Sequence, residues 1–138
     1  GTGITFTSTA YNDNDVLRCN IMNYSYAIFV SNSNLNTFKY NNITGNSKGI
    51  YVEYSSSDND KIVSNNISNN TDYAIYFWGN TWSNSPSNNL IQDNFIKNNT
   101  NYGIRLEYSH NNDIKNNTLS NIIMGSIFKH TSQMVIIR

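Results

Sequence analysis

The segment Asn36-Thr37-Phe38-Lys39-Tyr40-Asn41-Asn42-Ile43, continued by Gly49-Ile50-Tyr51-Val52-Glu53-Tyr54-Ser55, is one copy of a phrase that runs the length of the chain. It returns as Asp60-Lys61-Ile62, Asn65-Asn66-Ile67 and Ala74-Ile75-Tyr76-Phe77. A third copy holds Asn89-Leu90-Ile91, Asn94-Phe95-Ile96 and Gly103-Ile104-Arg105-Leu106-Glu107-Tyr108-Ser109. Earlier and later copies run from Asn14 to Val30 and from Asn112 to Ile127. A fixed short period marks a unit that buries its apolar face only by stacking on its neighbours.

The first apolar anchors are Val16, Phe38, Ile62, Ile91, Ile114 and Ile137, separated by 22, 24, 29, 23 and 23 residues. Within a copy the apolar positions form three clusters of one to three residues between Asn, Gly and Ser. Such clusters are too short for a 3.6-residue helical period and suit three short strands joined by turns. Alternation in Ile50-Tyr51-Val52-Glu53 sends Ile50 and Val52 to one side and Tyr51 and Glu53 to the other. Aligned copies give further apolar columns: Ile21, Ile43, Ile67, Ile96, Leu119; then Ile28, Ile50, Ile75, Ile104, Ile127; then Val30, Val52, Phe77, Leu106, broken by Lys129. Ala27, Gly49, Ala74, Gly103 and Ser126 precede the third ladder, where a small residue lets backbone approach backbone.

Two columns are amide-rich. Asn14, Asn36, Asp60, Asn89 and Asn112 precede each anchor by two residues; Asn41, Asn65, Asn94 and Asn117 follow it by three, with Cys19 in the first coil. Stacked amides bond along the column, and Asn also tolerates left-handed turns. Polar tracts of this kind are often disordered, but the columns of Ile, Val and Phe argue for a folded core.

The expected fold is all-β: a right-handed parallel β-helix of about five coils of 22–29 residues, three strands per coil, with asparagine ladders. The phrase N-x-I-x-x-N-x-I followed by G-I-x-L/V-x-x-S resembles the β-helix repeats of copper-associated NosD-like proteins. It is also similar to the wider carbohydrate-binding and sugar-hydrolase β-helix group, including archaeal surface proteins. The resemblance spans Gly3 to Arg138 and implies the fold; it does not by itself fix an activity.

The 138 residues form a single domain, 1–138, with formal net charge zero. That speaks against nucleic acid, which needs a basic footprint, and no apolar run reaches the ~20 residues of a membrane span. No secretory leader is legible, and the expected setting is extracellular or cell surface. Both ends read as unfinished: Gly3-Ile4-Thr5-Phe6 matches the last strand of a coil, and Met134-Val135-Ile136-Ile137 replaces polar turn residues with apolar ones. Two partners fit such ends, namely neighbouring coils of a longer solenoid or another copy stacked end to end.

Chemistry must sit on the outward columns. One reads Phe29, Tyr51, Tyr76, Arg105, Phe128 and the next Ser31, Glu53, Trp78, Glu107, His130. The one long insertion, Gly79 to Ser87, follows Trp78 and brings Trp82 and the only proline, Pro86. Inserted loops on a repeat scaffold often mark the binding face. Tyr51, Glu53, Tyr76, Trp78, Trp82, Arg105 and Glu107 are the candidate ligand contacts, with a polysaccharide or surface glycan as partner: rings take sugar C–H faces and charged groups take hydroxyls. The competing expectation is that the rings only stack on one another as cross-strand pairs. A structural or adhesive module is the first reading; the alternative is a polysaccharide hydrolase or lyase using Glu53 and Glu107, with Arg105. Those carboxylates stand about 9.6 Å apart at the backbone, near the upper end of the roughly 6.5–9.5 Å of inverting glycosidases.

No cofactor or metal site is expected. His110 and His130 do not pair, Met22, Met124 and Met134 are dispersed, and Cys19 is a lone thiol. Asp13, Asp15, Asp58 and Asp60 lie in turns that such residues cap. Glycosylation sequons stand at Asn23, Asn42, Asn66, Asn69, Asn98 and Asn116.

Overall fold

The computed structural model describes residues 1–10, 12–54 and 57–123, and the backbone of 126–129. After β1 (Thr2–Phe6), the first full coil holds β2 (Asp15–Leu17), β3 (Asn20–Met22) and β4 (Tyr26–Ser31). The second holds β5 (Thr37–Lys39), β6 (Asn42–Thr44) and β7 (Lys48–Glu53), and the third β8 (Lys61–Val63), β9 (Asn66–Ser68) and β10 (Tyr73–Trp78). Then come β11 (Leu90–Gln92), β12 (Phe95–Lys97) and β13 (Tyr102–Glu107), followed by β14 (Asp113–Lys115), β15 (Thr118–Ser120) and β16 (Ser126–Lys129). Strands of equal rank pair in parallel, giving one six-stranded sheet (β1-β4-β7-β10-β13-β16) and two five-stranded sheets begun by β2 and β3. This is a parallel β-helix.

The four apolar columns are the core. Val16, Phe38, Ile62, Ile91 and Ile114 are in register, as are Ile21, Ile43, Ile67, Ile96 and Leu119. The columns of Ile28 and Val30 extend back to Ile4 and Phe6 on β1. Nearly all these side chains are buried, with Phe38 and Phe77 the largest. Glycine and alanine alternate in the small column: Gly3 lies beside Ala27, Ala27 beside Gly49, and Gly49 beside Ala74.

Asparagines build the corners. In the first column the Asn14 amide donates to Asn36 Oδ1 at 2.9 Å and that of Asn36 to Asp60 Oδ1 at 2.9 Å. In the second, Asn41, Asn65, Asn94 and Asn117 repeat the link at 2.9–3.0 Å, and the Cys19 N–H caps it on Asn41 Oδ1. A third column, absent from the expectations above, joins Asn46, Asn70 and Asn99. It obeys the same rule, three residues after Ile43, Ile67 and Ile96, and ends at Tyr24 and Ile122. The residue before each ladder position takes positive φ at all three corners, from Asp13, Arg18 and Asn23 in the first coil to Asn111, Asn116 and Asn121 in the last. Backbone turned into this region points successive groups inward, and L-residues adopt it at a cost of about 1–2 kcal/mol.

Most of these positions hold Asn, Asp or Gly, but Leu35 (φ 62°) does not. Its side chain is 52% exposed. Leu35→Gly is therefore expected to raise stability by about 0.5–1 kcal/mol, the relief of αL strain exceeding the extra unfolded-chain entropy of glycine. Chemical denaturation measures this; a lower midpoint would show that the Leu35 side chain contributes more than its backbone strain removes.

Two expectations for the last coil are corrected. Ser126, not Ile127, stands opposite Ile104, and Phe128 stands opposite Leu106. Ile127 and Lys129 thus face Arg105 and Glu107, so Ser126 leaves the small column and Lys129 does not break the fourth ladder. Leu119 and Ser126 are seven residues apart, the spacing of Ile21–Ile28 and Ile43–Ile50, whereas the expectation carried forward the eight of Ile67–Ile75 and Ile96–Ile104. His130, Gln133, Met134 and Ile137 lie outside the described residues.

Candidate functional site

The outward face of the six-stranded sheet carries the predicted strip in the expected register from β4 to β13. Phe29, Tyr51, Tyr76 and Arg105 are direct neighbours, and so are Ser31, Glu53, Trp78 and Glu107. Rungs about 4.8 Å apart bring the rings onto one another: centroids lie 5.7 Å apart for Phe29–Tyr51 and 5.2 Å for Tyr51–Tyr76, in stacked geometry. Rings stacked along the axis turn their faces to each other and their edges to solvent. The cross-strand expectation thus describes this column.

Three further tyrosines join it. Tyr26 stacks on Tyr51 at 5.6 Å, Tyr73 on Tyr102 at 5.4 Å, and Tyr73 contacts Tyr76 at 4.6 Å. They begin their strands and share the signature Tyr-Ala/Gly-Ile at 26–28, 73–75 and 102–104, a signal legible in the sequence. Arg105 lies over the rings of Tyr73, Tyr76 and Tyr102 with its central carbon 5.0–5.5 Å from their centroids. It donates to Tyr73 Oη at 2.9 Å and to Glu107 Oε2 at 2.7 Å. Tyr76 donates to the same carboxylate oxygen at 3.0 Å.

Burial, reinforced by the Glu53 carboxylate, raises the Tyr51 phenol above its ordinary range. Burial does the same for Tyr76, with Glu107 adding to it and Arg105 opposing. Both phenols therefore stay protonated donors. Glu107, already bonded to a guanidinium and a phenol, is an anchor for Arg105. Glu53 and Glu107 stand two rungs apart with Trp78 between them, and the Trp78 ring meets Tyr54 edge-on at 5.4 Å.

Trp82 stands apart from this cluster. The insertion turns tightly between Thr81 and Asn84 and is fastened on both sides. Below, Asp58 Oδ1 accepts from Ser87 N at 2.7 Å and Oγ at 2.9 Å; above, Ser109 Oγ donates to Pro86 O at 2.8 Å and Ser85 Oγ meets His110 Nδ1 at 3.0 Å. Burial raises the Asp58 carboxyl, opposed by the Ser87 hydrogen bonds and by His110. Trp82 is 49% exposed, with Tyr108 edge-on at 6.3 Å and His110 at 6.2 Å. Asp58 and His110, missed as site residues, thus hold the loop.

The sequons divide by position. Asn23, Asn69, Asn98 and Asn116 are exposed at positive-φ corners. Asn42 and Asn66 lie in strands, half-buried, and the Asn66 amide donates to Asn42 Oδ1 at 2.8 Å.

Residues 1–89 match the family described as periplasmic copper-binding protein (NosD). The chain belongs to the NosD family. Neither a curated protein nor a solved structure matches it. Copper favours convergent thiolate, thioether or imidazole donors, and the described part of this NosD chain does not gather them. Among the described residues no group of three or more His, Cys, Asp or Glu side chains is placed to hold a metal ion. Cys19 sits with its thiol on Leu17 O at 3.4 Å, and His110 is engaged by Ser85. Met124, His130 and Met134 lie outside the described residues. Among the described residues, no helix is long and apolar enough to cross a membrane.

Proposed function

We propose that this NosD-family β-helix is a non-catalytic module of the cell envelope or surface that contacts glycans where the aromatic–carboxylate strip meets the insertion. The observation that carries the reading is Trp82: a half-exposed indole at the tip of the one long insertion, on a loop tied to the coils on either side. A rigid apolar platform loses little conformational entropy when a sugar ring stacks on it. Trp78 and the Glu53 carboxylate extend the surface, while Glu107 and Arg105 stiffen it. The periplasmic description of the family supports an envelope setting.

Trp82→Ala is expected to abolish binding on a panel of immobilised polysaccharides, at least a tenfold loss of affinity, without changing the unfolding midpoint by more than ~0.5 kcal/mol. Trp78→Ala should weaken the same binding. Unchanged binding in Trp82→Ala would overturn the assignment of the loop. Release of reducing ends or unsaturated products from any bound polysaccharide, lost in Glu53→Gln, would replace the module reading with an enzymatic one.

A further inference from the structure

The first amide column contains one residue that is not an amide. Asn36 shows the pattern: its Oδ1 accepts the main-chain and side-chain N–H of Asn14 in the coil before, and its Nδ2 donates to Oδ1 of the coil after, as Asn89 Nδ2 does to Asn112 Oδ1. Asp60 performs the first task, accepting from Asn36 N at 2.8 Å and Nδ2 at 2.9 Å, and its main-chain N–H donates to Asn89 Oδ1 at 2.7 Å. For the second task the ladder requires a donor. At Asn14, Asn36 and Asn89 the main-chain N–H and Nδ2 converge on one oxygen of the next coil, so by its place in the ladder the second oxygen of Asp60 stands where an asparagine carries Nδ2. That atom, Asp60 Oδ2, is buried and has no hydrogen-bond partner. Two bare acceptors opposed in a dry column repel; a proton on one of them makes the missing link.

We propose that Asp60 is a proton-operated rung: as a neutral acid it donates its O–H to Asn89 Oδ1 and completes the column, and on ionisation it opens the junction between its own coil and the coil of Asn89. The junction is the one from which the insertion at 79–88 leaves, and Asp58, two residues before the rung, holds Ser87 of that insertion. The proton thus acts on the seating of the loop as well as on the core.

The surroundings favour this chemistry. The hydrogen-bond partners of Asp60, Asn36 of the coil before and Asn89 of the coil after, carry no titratable group. Lys61, next in the chain, is exposed on the outward side of β8 and pairs in register with Thr37 and Leu90. Asp58 is the charged neighbour that bears on Asp60, and its repulsion favours the neutral form; His110, from the coil beyond, bears on Asp58. Burial is the dominant influence and, against the Asn36 hydrogen bonds, pushes the Asp60 carboxyl up to about 7 from 3.8. With the folded value above the unfolded one, the folded chain binds more protons between about pH 4 and 7. Stability from this group is therefore full below that window, falls as pH rises through it, and is lost above it.

The test compares the 138-residue chain with Asp60→Asn in equilibrium denaturation between pH 4 and 9. The asparagine supplies the missing donor at every pH. The ratio of the two folding constants should grow in favour of Asp60→Asn from about pH 4 to about pH 7, by roughly a thousand-fold, and level off above neutrality. Parallel pH profiles would overturn the proposal. Independently of any variant, the carbon-13 signal of the Asp60 carboxyl should titrate with a midpoint near neutrality in the wild-type chain; a midpoint near that of an exposed carboxylate would overturn it too.

Discussion

Asn65→Ala is expected to destabilise the chain by roughly 3–5 kcal/mol, seen as a lower denaturant midpoint. Asn65 sits mid-column and fully inside the protein. Its Oδ1 accepts from Asn41 N at 2.9 Å and Asn41 Nδ2 at 3.0 Å, and its Nδ2 donates to Phe38 O at 2.8 Å and Asn94 Oδ1 at 3.0 Å. Alanine removes all four links and strands their partners inside the protein. Each stranded buried group costs about 1–3 kcal/mol, and neighbouring losses do not add in full. The comparison is Asn20→Ala, an exposed outward position on β3, expected within ~0.5 kcal/mol of wild type. Equal losses at the two sites would mean that the amide columns are not what holds the corners.

The columns were legible because coils of 22 and 24 residues keep each residue type at a fixed offset from its anchor. The β-helix, its core ladders and two amide columns follow from that repetition alone. The third amide column used the same signal, but only Asn46, Asn70 and Asn99 carry it, flanked by Tyr24 and Ile122. The left-handed corners were half visible. Asn69, Asn98 and Gly45 advertise them, whereas Leu35 and Tyr40 occupy the same conformation because hydrogen bonds to the next coil require it. The slip at β16 was illegible because the chain uses both seven and eight residues between the second and third columns, and the sequence of the last coil fits either.

For the candidate site, sequence gave positions but not postures. Alternation placed Tyr51, Tyr76 and Arg105 outward and in line. Whether such rings lie flat on the sheet or stand and stack depends on rung spacing and on Arg105, which fills the space beside Tyr73, Tyr76 and Tyr102. Stacking consumes the ring faces, which moves the accessible apolar surface from the column to Trp82. The insertion that carries Trp82 stood out as a break in the period; its clamps at Asp58 and His110 are contacts between coils that no local pattern announces.

Gly49→Ala is the second large effect expected, a loss of about 3 kcal/mol despite the addition of a single methyl. A Cβ at Gly49 would lie 2.4 Å from the carbonyl oxygen of Ala74 and 3.0 Å from a methyl of Ile67. The first contact is with backbone of the next coil, already fixed by β7–β10 pairing, so it cannot retreat as a flexible side chain would. Relief requires the two coils to separate locally, which also loosens the Ile50–Ile75 and Val52–Phe77 contacts above the core. Gly45→Ala separates this steric cause from a conformational one. Its Cβ would meet only Asn23 Oδ1 at 3.6 Å, but its φ is +66°. That substitution should cost only about 1 kcal/mol, the strain of an L-residue in the left-handed region. Similar losses at both glycines would indicate that backbone conformation, rather than the close approach of successive coils, sets the small column. A loss at Gly49 several-fold larger places the constraint between coils, where the alternation of glycine with alanine puts it.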